Sequence, residues 1–164
     1  IIFRYFNVAG THENGKIGIK NKKLTHLLPC IVDSIIDNSV FHIWGVDYKT
    51  KDGSCIRDFV HVMDLVDAHI LGLEWSICNN KSEIFNLGSG SGYSVFEILD
   101  KASKTLKLKP NIKKNNRRIG DPPELYANID KVKLILKWEP KRTLSEMILS
   151  EFNFRKLMKR SKNE

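Results

Sequence analysis

The chain has 164 residues, 41% of them hydrophobic, and its 27 Lys and Arg exceed its 19 Asp and Glu, which gives a formal net charge of +8. This length suffices for one globular domain or a piece of a larger protein, and because no aromatic-interleaved RNA motif or zinc-finger spacing accompanies the cations, we expect no nucleic-acid binding. No apolar run reaches the roughly 18 residues of a bilayer span, and three widely spaced cysteines form no C-x-x-C pair, so we expect a cytoplasmic protein without a membrane segment.

The N-terminal run "IIFRYFN" predicts a β-strand. Because the run is apolar on both faces, it is typical of a buried strand in a parallel sheet. It has neither an initiator methionine nor a polar lead-in, so we expect the chain to begin inside a longer protein. The polar stretch that follows, up to the basic residues 20–23, predicts a long loop, and such loops often carry function.

Two helices are predicted in the next part of the chain. Thr25 is a candidate N-cap for a helix in "THLLPCIVDSIID", whose Leu28, Ile31 and Ile35 recur at helical spacing. Asp64 is a candidate N-cap for a second helix, "DLVDAHILGLEWSI". Between them, "VFHIWG" predicts a short strand and "DYKTKDGS" a turn-rich insertion.

Strands and helices alternate through the rest of the chain as well, which predicts an α/β fold. The segment "EIFNLGSGSG" predicts a strand followed by a glycine-rich turn. Ser94 with Glu97, and Thr143 with Glu146, form two capping boxes that mark helix starts, and a short helix is predicted near residues 130–136. We expect about five helices and a small mixed sheet.

The glycine-rich turn "NLGSGSGYS" superficially resembles a phosphate-binding loop. Its glycines do not fit G-x-G-x-x-G at the start of a helix, and no acidic residue follows about 20 positions later at the end of a second strand. We therefore interpret it as a structural strand-to-helix turn. The five histidines have no metal-ligand spacing, so we predict no metal site and interpret His61 as a buried, hydrogen-bonded side chain.

Two pairs of arginine and aspartate form the most informative candidate site. Arg57 stands next to Asp58, and Arg118 precedes Asp121 in "RIGD". Two arginines from separate loops can clamp a diphosphate, because guanidinium groups are planar, permanently charged and bidentate. The alternative is two local salt bridges, one within each short segment.

Five stretches resemble, in order and spacing, the C-terminal half of the UDP-glucose 4-epimerase (UDP-galactose 4-epimerase) family of extended short-chain dehydrogenases/reductases. The resemblance spans the chain from Arg4 to about Phe152. Its most specific part is "DYKTKDGSCIRDFVHVMDL", since related dehydratases and decarboxylases usually have a shorter segment there. The stretches are "RYFNVAGTHENGKIG", "THLLP", "IWGVDYKTKDGSCIRDFVHVMDLVDAH", "FNLGSGSGYSVFEIL" and "RRIGDPPELYAN".

The resemblance implies an isomerase of galactose metabolism that interconverts UDP-galactose and UDP-glucose through a 4-keto intermediate, with tightly bound NAD performing the redox chemistry. In that family a Rossmann-type N-terminal half binds NAD through G-x-x-G-x-x-G and supplies a Y-x-x-x-K base, and this sequence contains neither motif. We therefore expect residues 1–9 to be the last strand and loop of the cofactor-side half, and residues 10–164 to be the UDP-sugar-binding domain. We expect the chain to be inactive alone. The family is usually dimeric, which makes a homodimer one expectation for the intact enzyme.

The resemblance also assigns residue roles. Arg57 and Arg118 would clamp the pyrophosphate, and the backbone at Leu27 would donate to it from a helix N-terminus. Asp121 would accept hydrogen bonds from the ribose hydroxyls. The substrate-binding set is Asn7, His26, Leu27, His42, Trp44, Arg57, Arg118, Asp121 and Leu125, with His42 and Trp44 beside uracil and Leu125 beside the sugar; Tyr5 and Phe6 would border the nicotinamide, and the chain supplies no catalytic residue and no metal ligand.

Other interpretations stay open at this point. The intact protein could be a nucleotide-sugar dehydratase, a decarboxylase or a uronate epimerase, which share the R-D-F/Y segment. The chain could also be a truncated product that serves as a non-catalytic binding module. One departure from the family concerns the loop "GIKNKK", where Ile19 and Lys20 replace acidic residues, and Leu125 leaves acceptance of N-acetylated sugars undecided.

Overall fold

A computed structural model of the chain describes residues 1–20 and 25–161. Of the basic stretch at residues 20–23, only Lys20 belongs to these ranges, and its side chain is exposed. In chain order the elements are β1 (Ile2–Tyr5), β2 (Asn7–Ala9), α1 (Leu27–Ile36), β3 (Val40–Trp44), β4 (Ile56–Arg57), β5 (Phe59–His61), α2 (Val62–Asn79), β6 (Ile84–Leu87), β7 (Tyr93–Ser94), α3 (Val95–Leu106), β8 (Asn111–Asn115), β9 (Glu124–Leu125), α4 (Asp130–Leu136) and α5 (Leu144–Arg160).

The strands form four small sheets. Three of them are parallel pairs, β1 with β6, β2 with β5, and β3 with β8. The fourth has the order β7-β4-β9 and is mixed, because β4 runs antiparallel to β7 and parallel to β9. The α/β class, the mixed sheet and the five helices of the described residues confirm the fold prediction.

Both predicted capping boxes are present. The Ser94 hydroxyl accepts a hydrogen bond from the Glu97 backbone N–H at 3.1 Å, and the Glu97 carboxylate accepts from the Ser94 backbone N–H at 2.9 Å. Thr143 and Glu146 make the same reciprocal pair at the start of α5. Each box satisfies two N–H groups that the helix itself leaves without partners.

The other two cap predictions are wrong. The N-cap of α1 is His26 and not Thr25, because the first intrahelical bond runs from the Cys30 N–H to the His26 carbonyl. The N-cap of α2 is His61, whose Nδ1 accepts from the Met63 N–H at 3.1 Å. Asp64 lies in the first turn instead, where its carboxylate accepts from the backbone and side chain of Arg142.

The first strand is parallel, as predicted, but it is not buried. Ile2 is 58% exposed and Tyr5 51% exposed, because β1 pairs only with β6 among the described strands. Phe3 alone faces inward and packs against Phe85 and His69. The apolar run therefore predicted the pairing of the strand and overestimated its burial.

Two apolar cores hold the fold together. The first lies among α1, β3, α3 and α5, and the second lies among α2, β6 and α4. Complete burial of one large apolar side chain contributes about 1.5–3 kcal/mol. Large side chains that are at most 1% exposed include Leu28, Ile31, Ile43, Ile98 and Ile148 in the first core and Val60, Phe85, Leu87 and Val132 in the second.

Each of the five helices packs against one of these two cores. No helix within residues 1–20 and 25–161 is both long and apolar enough to cross a bilayer. The first core also forms one wall of a cavity, since α1 and β3 contribute residues to both the core and the cavity lining. The position of the candidate site thus follows from the packing of α1 on β3.

Candidate functional site

A cavity of about 560 Å³ opens between α1, β3, β4 and the segment around residues 118–121. Its volume lies in the range of pockets that hold small organic ligands. Eight of the nine residues that the sequence assigns to substrate binding line it, and Leu125 does not. These eight are Asn7, His26, Leu27, His42, Trp44, Arg57, Arg118 and Asp121.

Arg57 is held in place by three hydrogen bonds. Its Nη1 donates to the Ile56 carbonyl at 2.7 Å, and its Nη2 donates to Asp121 Oδ1 at 2.5 Å and to the Pro122 carbonyl at 2.7 Å. A guanidinium has five N–H donors. Among the described residues the Nε–H and one Nη1–H therefore have no acceptor, and two donors are left for a ligand.

Arg118 is positioned differently, by stacking. Its guanidinium carbon lies 5.1 Å from the centroid of the Trp44 ring, and its side chain is exposed. It makes no ion pair with any acidic side chain in the part of the chain that the structure describes. Its full charge is therefore available to an anion in the cavity.

The structure contradicts the alternative of two local salt bridges. Asp121 pairs with Arg57 across 64 positions of sequence instead of pairing with Arg118. Asp58 makes no ion pair within the described ranges, and its carboxylate accepts backbone N–H groups. The segment that contains Arg57 and the segment that contains Asp121 therefore contact each other at the cavity.

The glycine-rich turn is structural, as predicted. Asp58 Oδ1 accepts from the Ser89 N–H at 2.6 Å and from the Ser89 hydroxyl at 2.7 Å, and Oδ2 accepts from the Gly90 N–H at 3.2 Å and the Ala127 N–H at 3.0 Å. A Cβ on Gly88 would lie 2.3 Å from Asp58 Oδ2, so this position requires glycine. The N–H groups of this turn bind an internal carboxylate and not a phosphate.

One wall of the cavity presents aromatic rings. Along β3 the side chains of His42 and Trp44 lie on the exposed face, and their ring centroids are 6.3 Å apart with nearly parallel planes. The Asn115 side-chain amide lies 3.0 Å from His42 Nδ1 and fixes that ring. A flat base can pack on such a surface, because offset stacking is one of the arrangements that aromatic rings prefer.

The first turn of α1 forms another part of the wall. Neither a capping side chain nor an acidic residue satisfies its N–H groups, although the helix has ten residues. Such a terminus carries partial positive charge and favours anions. His26 and Leu27 both line the cavity, which places this terminus beside Arg57 and Arg118 in one concave surface.

Asn7 is anchored beside Arg57. Its Nδ2 donates to the Asp58 carbonyl at 2.9 Å, and its backbone N–H donates to the same oxygen at 3.0 Å. Tyr5 and Phe6 do not line the cavity: Tyr5 is 51% exposed on β1, and Phe6 packs against the second core. The predicted cofactor contacts therefore lie outside the cavity that holds the predicted substrate contacts.

Two cysteines of the cavity wall and His61, which does not line the cavity, have shifted pKa values. Burial raises the pKa of the Cys30 thiol, and Asp33 adds to this effect; burial likewise raises the pKa of the Cys55 thiol. Burial lowers the pKa of His61, and the charge of Arg142 lowers it further, so this imidazole is neutral near pH 7. No cluster of three or more metal-ligating side chains occurs in the described part of the chain. The groups that suit this cavity to binding an anion are Arg57, Arg118 and the uncapped N-terminus of α1.

The sequence prediction missed several residues of the cavity wall. Cys30, Asp33 and Ser34 follow His26 and Leu27 at helical spacing, so the periodicity of α1 could have identified them. Cys55 precedes Arg57 by two positions and could have been found from strand alternation. The remaining missed lining residues are Thr25, Ser39, Val40, Phe41, Ile43 and Val95.

Comparison with known sequences gives a consistent result. Residues 1–88 match the NAD dependent epimerase/dehydratase family. A UDP-glucose 4-epimerase of Mycoplasma pneumoniae is 42% identical over 157 residues, which are 94% of this chain and 46% of the relative, and one of Rhizobium meliloti is 39% identical over 94% of this chain and 47% of the relative. The chain thus spans about half the length of the curated relatives it matches.

Solved structures share the fold. The UDP-glucose 4-epimerase of Stenotrophomonas maltophila with bound NAD and formylated UDP-arabinopyranose superposes with a TM-score of 0.94 at 29% identity, over 97% of this chain and 48% of that one. The enzyme of Bifidobacterium longum in complex with NAD+ and UDP gives 0.85 at 31% identity, over 94% of this chain and 47% of that one. The described architecture therefore corresponds to about half of each of these proteins.

Proposed function

The chain belongs to the NAD dependent epimerase/dehydratase family, and on that premise we propose that it is the nucleotide-sugar-binding half of a UDP-glucose 4-epimerase. The intact protein would interconvert UDP-galactose and UDP-glucose through a 4-keto intermediate. The observation that carries this proposal is the convergence of Arg57, Arg118 and the uncapped N-terminus of α1 on one cavity. The relatives with this function, and the solved relatives bound to UDP or a UDP-sugar, support it.

The cavity can bind the three parts of UDP by different forces. Arg57 and Arg118 offer charge-assisted donors to the diphosphate, and each such contact contributes about 1.5–3 kcal/mol. Trp44 and His42 offer a flat surface to uracil. Asp121, whose side chain is 32% exposed and which uses one oxygen on Arg57, can accept from the ribose hydroxyls with its other oxygen.

The hexose would be held much less firmly than UDP. Leu125 lies opposite Arg57 in the β4–β9 pair and is 48% exposed, so it can form an apolar side wall next to the diphosphate. An epimerase has to present both faces of the sugar ring, which a rigidly bound hexose could not do. An arrangement with a firm grip on UDP and an apolar wall at the sugar meets this requirement.

NAD, when bound, would supply the hydride chemistry at C4 of the sugar. The chain's own contribution to its site would come from Tyr5 and Phe6 at the end of β1, where the Tyr5 ring is exposed and can form a contact. Acid–base transfer at the C4 hydroxyl needs a positioned base, and the sequence has no Y-x-x-x-K. We therefore propose that this chain alone is inactive.

The domain boundaries and partners belong to the same proposal. We assign residues 1–9 to the cofactor-side half and residues 10–164 to UDP-sugar binding. A homodimer of the intact enzyme and a cytoplasmic location stay predictions that follow from the family resemblance.

The proposal is tested in two steps. Isothermal titration of the purified chain with UDP should show binding at one site. The chain should give no UDP-glucose from UDP-galactose and NAD, and a fusion behind the N-terminal half of the Mycoplasma pneumoniae relative should give it. Absence of UDP binding, a dehydrated product from UDP-galactose, or decarboxylation or epimerisation of UDP-glucuronate by the fusion, would contradict the proposal.

A further inference from the structure

All of the net positive charge of the chain lies in residues 101–120. This segment has eight lysines and arginines and no acidic residue, while the other 19 of the 27 cations are matched by all 19 acidic residues. Outside the segment the chain is formally neutral. The eight cations are Lys101, Lys104, Lys107, Lys109, Lys113, Lys114, Arg117 and Arg118.

The segment is exposed and largely free of acidic partners. All eight cationic residues are exposed. Lys104 pairs with Asp100 at 2.6 Å, and Arg117 pairs with Asp47 at 2.7 Å. The other six make no ion pair with an acidic side chain of residues 1–20 or 25–161, so their field is not neutralised locally.

The charged segment leads directly to the cavity. It runs from α3 through β8 to Arg118, which lines the cavity wall. In the parallel pair of β3 and β8, Lys113 stands opposite His42 and Asn115 stands opposite Trp44. Neighbouring strands are about 4.8 Å apart, so the charge of Lys113 lies next to the wall that His42 and Trp44 form.

Charges at the rim of a site act mainly on the approach of a ligand. They raise the association rate of an oppositely charged molecule, whereas contacts inside the site determine how slowly it leaves. Their range is limited to a Debye length, about 8 Å at physiological salt. The charges of a strand adjacent to the cavity therefore act on a ligand at the cavity entrance, whereas salt screens charges that lie farther away.

We propose that residues 101–120 form a guiding surface that attracts the diphosphate of a nucleotide sugar toward the cavity and accelerates its association. This inference rests on the proposed function for the identity of the anion. The lysines of this surface act before binding, and Arg118 at its end acts with Arg57 on the bound anion. The lysines of β8 thus contribute to affinity only through the rate of capture and make no contact in the final complex.

The test compares two variants of equal charge. K109Q/K113Q/K114Q removes three exposed cations from the segment, and K81Q/K133Q/K141Q removes three exposed cations outside the segment, on and around α4 and β6. Stopped-flow mixing of each purified chain with a fluorescent UDP derivative gives the association and dissociation rates at low and high salt.

We expect the first variant to bind about fivefold more slowly at low salt, with an unchanged dissociation rate, and the second to stay within twofold of the parent chain. The difference should vanish at about 1 M salt, where the Debye length is about 3 Å. Recovery of the parent rate at high salt also shows that the variant is folded.

Three results would overturn the inference. Equal slowing by both variants would mean that only net charge matters, and faster dissociation of the first variant would make its lysines ligand contacts. Unchanged UDP rates, together with binding of single-stranded RNA that only the first variant loses, would assign the surface to a polyanion. If the parent chain binds no UDP at all, the proposed function fails as well, which distinguishes that outcome from the others.

Discussion

Arg57 and Asp121 form a 2.5 Å ion pair in which the arginine side chain is 12% exposed and the aspartate side chain 32% exposed. The pair joins the mixed sheet to the segment that follows β8, so two distant parts of the chain meet at the cavity. It also orders the guanidinium before any ligand arrives, which lowers the entropy that binding has to remove. Two N–H groups of Arg57 are then left for the oxygen atoms of a ligand, which in the proposed function are those of the diphosphate.

The first prediction concerns Arg57 itself. Replacing it in Arg57→Ala removes a charge-assisted contact, so the affinity for UDP should fall by about ten- to a hundredfold. Isothermal titration measures this change. Arg160→Ala, at the exposed end of α5, is the matched control and should bind like the parent chain. Equal affinities of the two variants would contradict the assignment of Arg57.

The second prediction separates base recognition from phosphate recognition. Trp44→Ala removes the exposed ring on β3, and loss of an aromatic stacking contact should weaken UDP binding by about three- to tenfold. Binding of inorganic pyrophosphate should change less, although Arg118 also stacks on this ring. Competition titrations with both ligands measure the two effects. A uniform loss for both would show that Trp44 only positions Arg118.

The third prediction concerns the stability role of Asp58. Its buried carboxylate accepts three backbone N–H groups, and Asp58→Asn turns one acceptor into a donor that faces N–H groups. Leaving buried donors unpaired costs about 1–3 kcal/mol each, so the free energy of unfolding should drop by about 2–4 kcal/mol. Urea unfolding gives the value. Ser91→Ala, in the same turn, should cost less than about 1 kcal/mol, and a similar loss for both variants would contradict this role.

The fourth prediction concerns pH. Burial, with help from Arg142, lowers the pKa of His61 in the folded state below its ordinary value near 6.5. The unfolded chain therefore binds more protons at this residue, and the stability from neutral His61 is present above about pH 6.5 and is lost as pH falls below it. His61→Asn keeps a capping side chain and removes the titration.

The measurement is urea unfolding between pH 7.5 and 5.5. The parent chain should lose more stability on acidification than His61→Asn does. Burial raises the pKa of Glu151, which works in the opposite direction in both proteins and therefore cancels in the comparison. Parallel pH profiles of the two proteins would show that His61 does not titrate in this way.

The fifth prediction concerns an exposed apolar stripe on α2. Its four members recur at helical spacing on one face and are 42–72% exposed. Because a patch of this kind favours association, we expect the purified chain to self-associate, and Ile70→Lys with Ile77→Lys to reduce the mass measured by light scattering. The stripe consists of Val66, Ile70, Leu73 and Ile77.

An isolated exposed leucine offers the control for this experiment. Leu134→Lys on α4, where the leucine is 70% exposed, should leave the association unchanged. A chain that is monomeric at all concentrations would contradict the prediction about the stripe.

The local features of the fold could be predicted from sequence, and the long-range ones could not. The capping boxes at Ser94 and Thr143 depend on residues three positions apart, so their pattern is sufficient. Asp64 looks like a cap by the same local rule, but it is used by Arg142, which lies 78 positions away. Neither hydrophobic periodicity nor helix propensity can identify a hydrogen-bond partner so far away in the sequence.

In the candidate site, too, the sequence predicted which residues take part but not which of them contact each other. The family resemblance named eight residues that the structure brings to one cavity, because motifs preserve the residues that meet there. It did not indicate that Asp121 binds Arg57, since neither residue identity nor spacing reveals which of two arginines an aspartate contacts. Exposure of β1 was likewise not visible, because an apolar run shows only that a strand could be buried and not that a neighbour covers it.

The pairing of β4 with β9 sets Leu125 beside Arg57 through main-chain hydrogen bonds in which the Leu125 side chain takes no part. The backbone register does not depend on the side chain at position 125, so that side chain can become larger or smaller while the arginine keeps its place. In the proposed function, single replacements at residue 125 would therefore change the space beside the sugar while the arginine that holds the nucleotide stays in place.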